Sequence, residues 1–476
     1  MLAIVVSRAD SASAHVGERL LDLADWRERT DSTRPDGEGG GTVYRLPADE
    51  TTADTDTAPA VELREFDDLH LELTGVADAF GNVDADDGER VAPDLLVFAS
   101  RHAGETGELL TAHHTGNFGP ADYGGDPRDL ARACPNAHRR VLAALRDHAP
   151  ESYEVGTECT HHGPTHVGAP SMFVEVGSGE PQWADPAAAR AVANAILDLR
   201  GVSADAPAEN DGAHGGTRRQ LVGFGGGHYA PRFERIERET DWAVGHVAAD
   251  WGIEAMGDPR ENRAVVDRTF AASGATHAVV DGDRSDLVAV VEDLGYRVVS
   301  ETWVRETSGV HLALVDRVES RLGRIDEGVR FGERAGGSDS HREFAVVDLP
   351  ADLLAEARGV DADRAWDAVA ERSLAFTTEQ DGTQVGFRAA LANAAERRAV
   401  VEALAAILED AYDEVQVREE AVVAERTAFD PEKARALGIS EGPAFGKLSA
   451  GEAVEVGGRT IPPEAVHEER TERFPY

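Results

Sequence analysis

Cysteine and lysine are both nearly missing from this 476-residue chain. Its two cysteines, Cys134 and Cys159, are too few for a disulfide framework or a Cys-rich zinc finger. Its only lysines are Lys433 and Lys447, so the cations are almost all arginine. No apolar run approaches the length of a membrane span. Met1 leads straight into a short apolar strand rather than a charged leader and hydrophobic region, so neither a membrane protein nor a secreted one is expected. Three motifs are absent as well: Gly-x-x-x-x-Gly-Lys-Ser/Thr, His-Glu-x-x-His, and Gly-x-Ser-x-Gly in a strand–turn–helix setting. Their absence argues against a P-loop enzyme, a zincin and a serine esterase of the α/β-hydrolase type. A cytoplasmic enzyme or binding protein remains.

Carboxylates dominate what is present. There are 89 Asp and Glu against 47 Lys and Arg, a formal net charge of -42. That excess, with lysine scarce, is the usual composition of proteins from salt-saturated cytoplasm. There the surface must hold water, and a Debye length of about 3 Å at ~1 M screens self-repulsion. The charge thus reports the solvent and does not exclude a polyanionic partner. Such a partner would be held by local arginines and backbone amides, since counterion release contributes little at high salt.

With an apolar share of 41%, the chain is long enough for two or three cored domains. Residues 2–7 read as a buried strand, with Ser11 or Ser13 capping a helix that carries Val16, Leu20, Leu23 and Trp26. Residues 27–60 read as an acidic surface insertion. Strands are predicted at Leu95–Ala99, around Tyr153–Cys159 and at Met172–Val176, and helices from Asn136 and from Asp185-Pro186. After a linker at 201–217, strands at Leu221–Phe224, Ala243–Ala248, His277–Asp281 and Arg297–Ser300 alternate with helices. The pattern predicts an α/β domain over 1–318, with a mixed or mostly parallel sheet and helices on both faces. Residues 319–341 read as a linker, and 342–476 as a smaller α+β module. Val400, Val401, Leu404, Ile407, Leu408, Tyr412 and Val415 keep helical spacing there.

Seven of the 17 histidines fall in three short segments. These are Ser100-Arg101-His102 with Thr111-Ala112-His113-His114-Thr115-Gly116-Asn117, then Thr160-His161-His162-Gly163-Pro164-Thr165-His166, then Gly225-Gly226-Gly227-His228-Tyr229-Ala230-Pro231-Arg232. Each begins at or just past a predicted strand end, where open α/β sheets place their ligand crevice. Of His113 and His114, at most one is expected to face a site. His161 and His162 beside a Gly-Pro turn could bind zinc or act as base and charge stabiliser. Glu175 alternates away from Val174 and Val176, as a metal ligand, a histidine-orienting group or an arginine partner. The Gly225-Gly226-Gly227 run could form an anion nest with Arg232 near by. Histidines plus a carboxylate, with no plausible nucleophile, point to activated water.

Taken in order, these three segments resemble the archaeal and plant-type D-aminoacyl-tRNA deacylases, with Pro170, Phe173–Ser178 and Trp183 also matching. The resemblance covers roughly residues 1–315. It implies a zinc-dependent hydrolase of the ester joining a D-amino acid to the terminal ribose of tRNA. The implied fold is likened to phosphorylase and peptidyl-tRNA hydrolase. Carried onto this chain, it makes His102, His113, His161, His162, Glu175 and His228 the metal-site candidates, with ligand and acid–base roles unassigned. His161, His162, Glu175 and His228 lead for catalysis. Arg101, Gly225, Gly226, Gly227 and Arg232 would steady the tRNA end, and a monomer without a stable protein partner is expected. The insertion at 27–60 and the module beyond 319 depart from the compact family pattern. Within that module, Gly438–Leu448 faintly resembles a stretch of tRNA 3′-processing zinc nucleases but lacks their metal motif. Two other readings compete: another metal-dependent hydrolase such as a peptidase or nucleosidase, and a non-catalytic RNA-binding protein with structural histidines.

Overall fold

The computed structural model describes residues 1–48, 59–81, 92–209, 216–337 and 342–476, in two compact units, Met1–Ser308 and Gly309–Tyr476. The first unit is built on two sheets. Its larger sheet comprises β1 (Leu2–Ser7), β2 (Arg27–Asp31), β3 (Gly41–Leu46), β4 (Val61–Phe66), β5 (Leu95–Ala103), β6 (Leu109–His113), β7 (Glu154–Thr157) and β8 (Ser171–Ser178). Their order is β2-β3-β4-β1-β5-β8-β6-β7. Strands β4, β1, β5 and β8 run parallel, and β6 pairs antiparallel to β8. All six residues of β1 and all eight of β8 are buried, which is why they read as continuous apolar runs or carry deliberate polar insertions.

One face of this sheet is covered by α1 (Ser11–Leu23), α2 (Pro135–His148) and α4 (Pro186–Leu197), with the short α3 (Glu180–Trp183) ahead of α4. Val16 and Leu20, Val141 and Leu145, and Val192 and Ile196 pack on Ile4, Val97, Val174 and Val176. On the opposite face Phe98 and Phe173 meet Val76, Phe80 and Val167. Among the described residues the α-helices thus cover one side of this sheet, and the other is packed by loops and the short 3-10 helix Val76–Ala79.

The smaller sheet matches the expected alternation closely. After a two-stranded pairing of β9 (Ala208–Glu209) with β10 (Thr217–Arg218), it consists of β11 (Gln220–Phe224), β12 (Ala243–Ala248), β13 (His277–Val280) and β14 (Arg297–Val298). All are parallel, in the order β12-β11-β13-β14. Helices α6 (Asp250–Met256), α7 (Arg263–Ser273) and α8 (Ser285–Asp293) pack on the face of Val222 and Phe224. Helices α5 (Pro231–Glu239) and α9 (Glu301–Thr307) bring Phe233 and Trp303 to buried positions, Phe233 against Gly223 on the opposite face. The α/β class with a mixed sheet is therefore observed.

Several boundaries differ from the sequence reading. The stretch expected as an insertion is not irregular over 27–46: β2 and β3 form an antiparallel hairpin on the sheet edge. Polar strands suffice there because Val43, Leu46 and Asp31 are buried while the other side chains of the two strands are at least partly exposed. Residues 49–58 of that stretch lie outside the described residues. Helix α1 is capped by Asp10, whose carboxylate accepts from the amides of Ala12 and Ser13, while the Ser13 hydroxyl accepts from the Ser7 amide. The compact division falls after Ser308, and part of the expected linker, Val329–Phe331, pairs as an edge strand of the second unit.

That second unit is α+β. A four-stranded antiparallel sheet packs helices Ala351–Val360, Ala362–Ala370 and Ala394–Leu408, and a three-stranded sheet and a hairpin follow. The helical spacing read through Val415 stops at Leu408, and Val415 lies on the strand Glu414–Val417. Apolar residues one turn beyond a helix end can keep its period without sharing its backbone. Among the described residues no helix is long and apolar enough to cross a membrane.

Candidate active site

The loops that leave the uncovered face of the larger sheet meet the first loop of the smaller one. Strand β8 supplies Glu175, facing away from Val174 and Val176, which sit in the helix-side core. Its neighbour β5 pairs Ser100 with Glu175 and His102 with Gly177. A Cβ at Gly177 would stand 2.8 Å from the His102 side chain, so glycine there makes room for the ring. On the other side β6 pairs Thr111 with Glu175 and ends at His113. The segment after β7 carries Glu158, Cys159, His161 and His162, and Glu158 bridges to Tyr229 of the loop after β11. The Cys159 amide donates to the His228 carbonyl at 2.8 Å, and the Thr160 amide to the Val247 carbonyl at 2.8 Å. The two sheets are thus laced together at the site.

Five imidazoles and two carboxylates converge. Ring centroids are 4.3 Å apart for His113–His161 and for His161–His162, 4.9 Å for His113–His162 and 4.7 Å for His161–His228. His102 Nδ1 lies 3.0 Å from Glu158 Oε1 and 3.7 Å from Glu175 Oε2, and its Nε2 lies 2.8 Å from Tyr229 Oη. His228 Nε2 is 2.8 Å from Glu158 Oε2, and His161 Nε2 is 3.7 Å from the same oxygen. Every candidate for the metal centre named from the sequence is therefore in one place.

Three of the rings share a further feature. His113 Nδ1 lies 3.1 Å from the His114 carbonyl, His161 Nδ1 2.8 Å from that of Cys159, and His162 Nδ1 2.7 Å from that of Gly163. A carbonyl only accepts, so each Nδ1 carries a hydrogen, and in the neutral ring Nε2 keeps its lone pair. Against the effect of burial, Glu175, 3.8 Å from His113 Nε2, raises the pKa of His113. His113 Nε2 is buried without a hydrogen-bond partner. Holding His162 this way puts its backbone at φ 44°, a strained value for a non-glycine residue.

The electrostatics separate the rings. Burial pushes His161 well below the ordinary imidazole range and His162 down to about 4, each reinforced by His113. Burial would lower His102 as well, but Glu158 and Glu175 raise it to about 11. Burial opposes the charge of Glu158, yet its bonds to His102 and His228 hold it well below the carboxylate range. Glu175 is likewise lowered, by His102 and His113 against the effect of burial. Neutral and charged imidazoles thus lie side by side.

Groups of ligand atoms lie within 4.8 Å of one another in His113/His161/His162, Cys159/His161/His228, His102/Glu158/His228 and His113/Glu158/Glu175. Burial, aided by Glu158, pushes the Cys159 thiol up to about 12. A cavity of about 640 Å³ opens on the cluster, lined also by Asp10, His70, Arg101, Asn117, Tyr123 and Trp251. Asp10 links this wall to α1, its second oxygen accepting from the Ser100 hydroxyl and the Arg101 amide.

Other candidates fall elsewhere. His114 turns into a separate buried group with His138 and His246, and His166 pairs at the surface with Asp126 and Asp129. The expected anion nest is not free to act as one. The Gly225 amide donates to the Ala248 carbonyl, the Gly226 amide to Asp250, and Arg232 pairs with Asp281 and Glu301. Gly225 has φ 104°, and a Cβ would lie 2.5 Å from the Asp281 carbonyl, so its role is to let the chain pass. Gly227 is not among the residues lining the cavity, whereas Arg101 lines it and stacks on Trp183 at 5.0 Å. Sequence reasoning missed Glu158, although an acid three positions before His161 at a strand end was a usable signal. It also missed Tyr229 as a partner of His102.

A family model described as D-aminoacyl-tRNA deacylase matches residues 89–299. A D-aminoacyl-tRNA deacylase of Haloarcula marismortui is 54% identical over 100% of both chains. One from Halorubrum lacusprofundi is 54% identical over 100% of this chain and 97% of its own, and one from Methanoregula boonei is 35% identical over 78% and 83%. A crystal structure described as a conserved protein of unknown function superposes with a TM-score of 0.51 at 27% identity. It covers 65% of this chain and 98% of that one.

Proposed function

The chain belongs to the D-aminoacyl-tRNA deacylase family, and on that premise we propose that it hydrolyses the ester between a D-amino acid and the terminal ribose of tRNA in the cytoplasm. The observation that carries the reading is the trio His113, His161 and His162. Their Nδ1 atoms are tied to backbone carbonyls and their Nε2 lone pairs are left for a common ligand. Such outer hydrogen bonds are what orient imidazoles toward a metal, and three histidines with an open position suit zinc. Bound there, zinc would lower the pKa of water toward neutrality and polarise the ester carbonyl.

The chain's own groups account for the rest. Water adds to the ester carbonyl carbon, the bond to the ribose oxygen breaks, and that oxygen takes up a proton. His228 is the ring best placed to deliver it: its side chain is 35% exposed at the cavity wall, and Glu158 Oε2 holds its Nε2 at 2.8 Å. Charged His102, fixed by Glu158 and Tyr229, offsets negative charge developing on the carbonyl oxygen. Arg101 would meet the phosphate or ribose of the tRNA end. Every one of these groups lies within Met1–Ser308, which supports placing catalysis in residues 1–318 and giving the C-terminal module an accessory role.

Purified protein, with and without zinc, tests this on D- and L-tyrosyl-tRNA. Release of the D-amino acid alone, lost in His161→Ala and His162→Ala, is expected. Equal release of both enantiomers, or variants as active as the parent, would overturn it. Cleavage of amide or N-glycoside substrates instead would favour another metal-dependent hydrolase.

A further inference from the structure

Large apolar side chains are seldom left in solvent without a reason, and here the aromatic ones are gathered at one place. Among the described residues those exposed are Tyr123 at 71%, Trp251 at 48%, Leu437 at 47% and Tyr229 at 38%. Tyr123 and Trp251 line the cavity over the histidine cluster, and Tyr229 bonds a ring inside it.

These rings project from pinned backbone. The Tyr123 carbonyl accepts from the Gly163 amide, next to His162, at 2.9 Å. The Asn117 side chain donates to the carbonyls of Gly124 at 2.9 Å and Asp126 at 3.1 Å. A Cβ at Gly163 would stand 2.4 Å from the Gly124 carbonyl carbon, so the two turns touch. Trp251 follows Asp250, whose amide donates to the Gly226 carbonyl at 2.9 Å and whose carboxylate accepts from the Gly226 amide at 2.7 Å. Each exposed ring is thus fixed to a loop that carries a histidine of the site, Tyr123 to that of His162 and Trp251 to that of His228.

From this geometry we infer that Tyr123 and Trp251 form a stacking platform for the unpaired bases at the 3′ end of an RNA. The inference rests on the deacylase reading and adds the subsite that holds the nucleotide part of the substrate. Aromatic faces accept any base, and stacking does not depend on counterion release, so it keeps its strength in molar salt, where phosphate contacts weaken. Arg101 lines the same cavity and makes no ion pair among the described residues, while many other arginines of this chain are matched by carboxylates. It is the cation available for a terminal phosphate. Fixing the bases on rings anchored to the histidine loops would hold the adjoining ester at the cluster without a large basic surface.

The test uses the full chain in molar KCl and a fluorescently labelled, unacylated RNA trinucleotide of sequence C-C-A. Loss of one stacked base should weaken binding roughly fivefold to a hundredfold in Trp251→Ala and in Tyr123→Ala. Trp251→Phe and Tyr123→Phe, which keep a ring, should restore most of it. With D-tyrosyl-tRNA the alanine variants should raise KM and leave kcat nearly unchanged. Trinucleotide binding that is absent from the parent chain, or equal in parent and folded alanine variants, overturns the platform even if D-selective hydrolysis is intact. Ring-dependent trinucleotide binding in a chain that hydrolyses no D-aminoacyl-tRNA keeps the platform and overturns the deacylase reading instead.

Discussion

Glu158 meets more of the cluster's imidazoles than Glu175, the carboxylate singled out from the sequence. Its two oxygens serve His102 and His228 at 3.0 and 2.8 Å, with His161 at 3.7 Å. A fully buried carboxylate is costly to ionise, and it stays ionised here only because those imidazoles answer it. Glu158→Gln keeps the shape and removes the charge, so His102 loses one of the two carboxylates that raise its pKa. The expected result is a loss of about 10- to 100-fold in kcat or in affinity for an added divalent metal, with the fold intact by circular dichroism. Unchanged activity and metal affinity would show that Glu175 alone suffices. The histidines were legible beforehand because they cluster at strand ends, a property of one-dimensional order. Glu158 was harder to pick out: with 89 Asp and Glu in the chain, only its place three positions before His161 at a strand end set it apart.

At the level of elements, the polar hairpin on the sheet edge shows why composition misled. Residues 27–46 look like loop because they are rich in charged residues, Gly and Thr and poor in apolar ones, yet the strand pairing is held from below by Arg64. That buried side chain donates to Glu62 and to Asp31, each at 2.7 Å, and to the Gly39 carbonyl at 2.6 Å. Burial would raise Asp31, but Thr33 and Arg64 bring it down to about 2. Arg64→Met leaves two buried carboxylates without their cation. A loss of about 3–5 kcal/mol is expected in urea unfolding at molar KCl, the usual cost of breaking a buried pair from one side. A change near zero would mean that water already reaches the pair. By contrast the β11–β14 region was readable almost element by element, since alternating apolar strands and amphipathic helices carry their period locally. That β6 runs against β8 but along β7 depends on distant pairing, and no local period records it.

Across the whole first unit, buried neutral imidazoles make acid stability a property of the core as well as of the surface. Burial, with Arg297 and Arg219, pushes His277 down to about 3, and it stacks on Trp303 at 5.0 Å. His246, fully enclosed between Thr160 and the Ala131 carbonyl, is pushed by burial down to about 4. In the unfolded chain both would titrate near 6.5. Below that value the unfolded state binds protons that the native state refuses, so folding free energy falls as pH falls toward 4. Each group then removes up to about 1.4 kcal/mol per pH unit, and the two together about 3 kcal/mol. Reference carboxylates titrate at about 4 and reference imidazoles at about 6.5, so the window between pH 6 and pH 5 weights the imidazoles. Urea unfolding in molar KCl across that window should show the decline, and His277→Phe should flatten it by about one proton's worth. The high salt matters to the design: with a net charge of -42 the chain repels itself in dilute buffer. Protonating carboxylates would then relieve strain and mask the loss. A slope unaltered by His277→Phe would mean that this ring accepts its proton inside the folded unit, and that the aromatic cage around it admits charge.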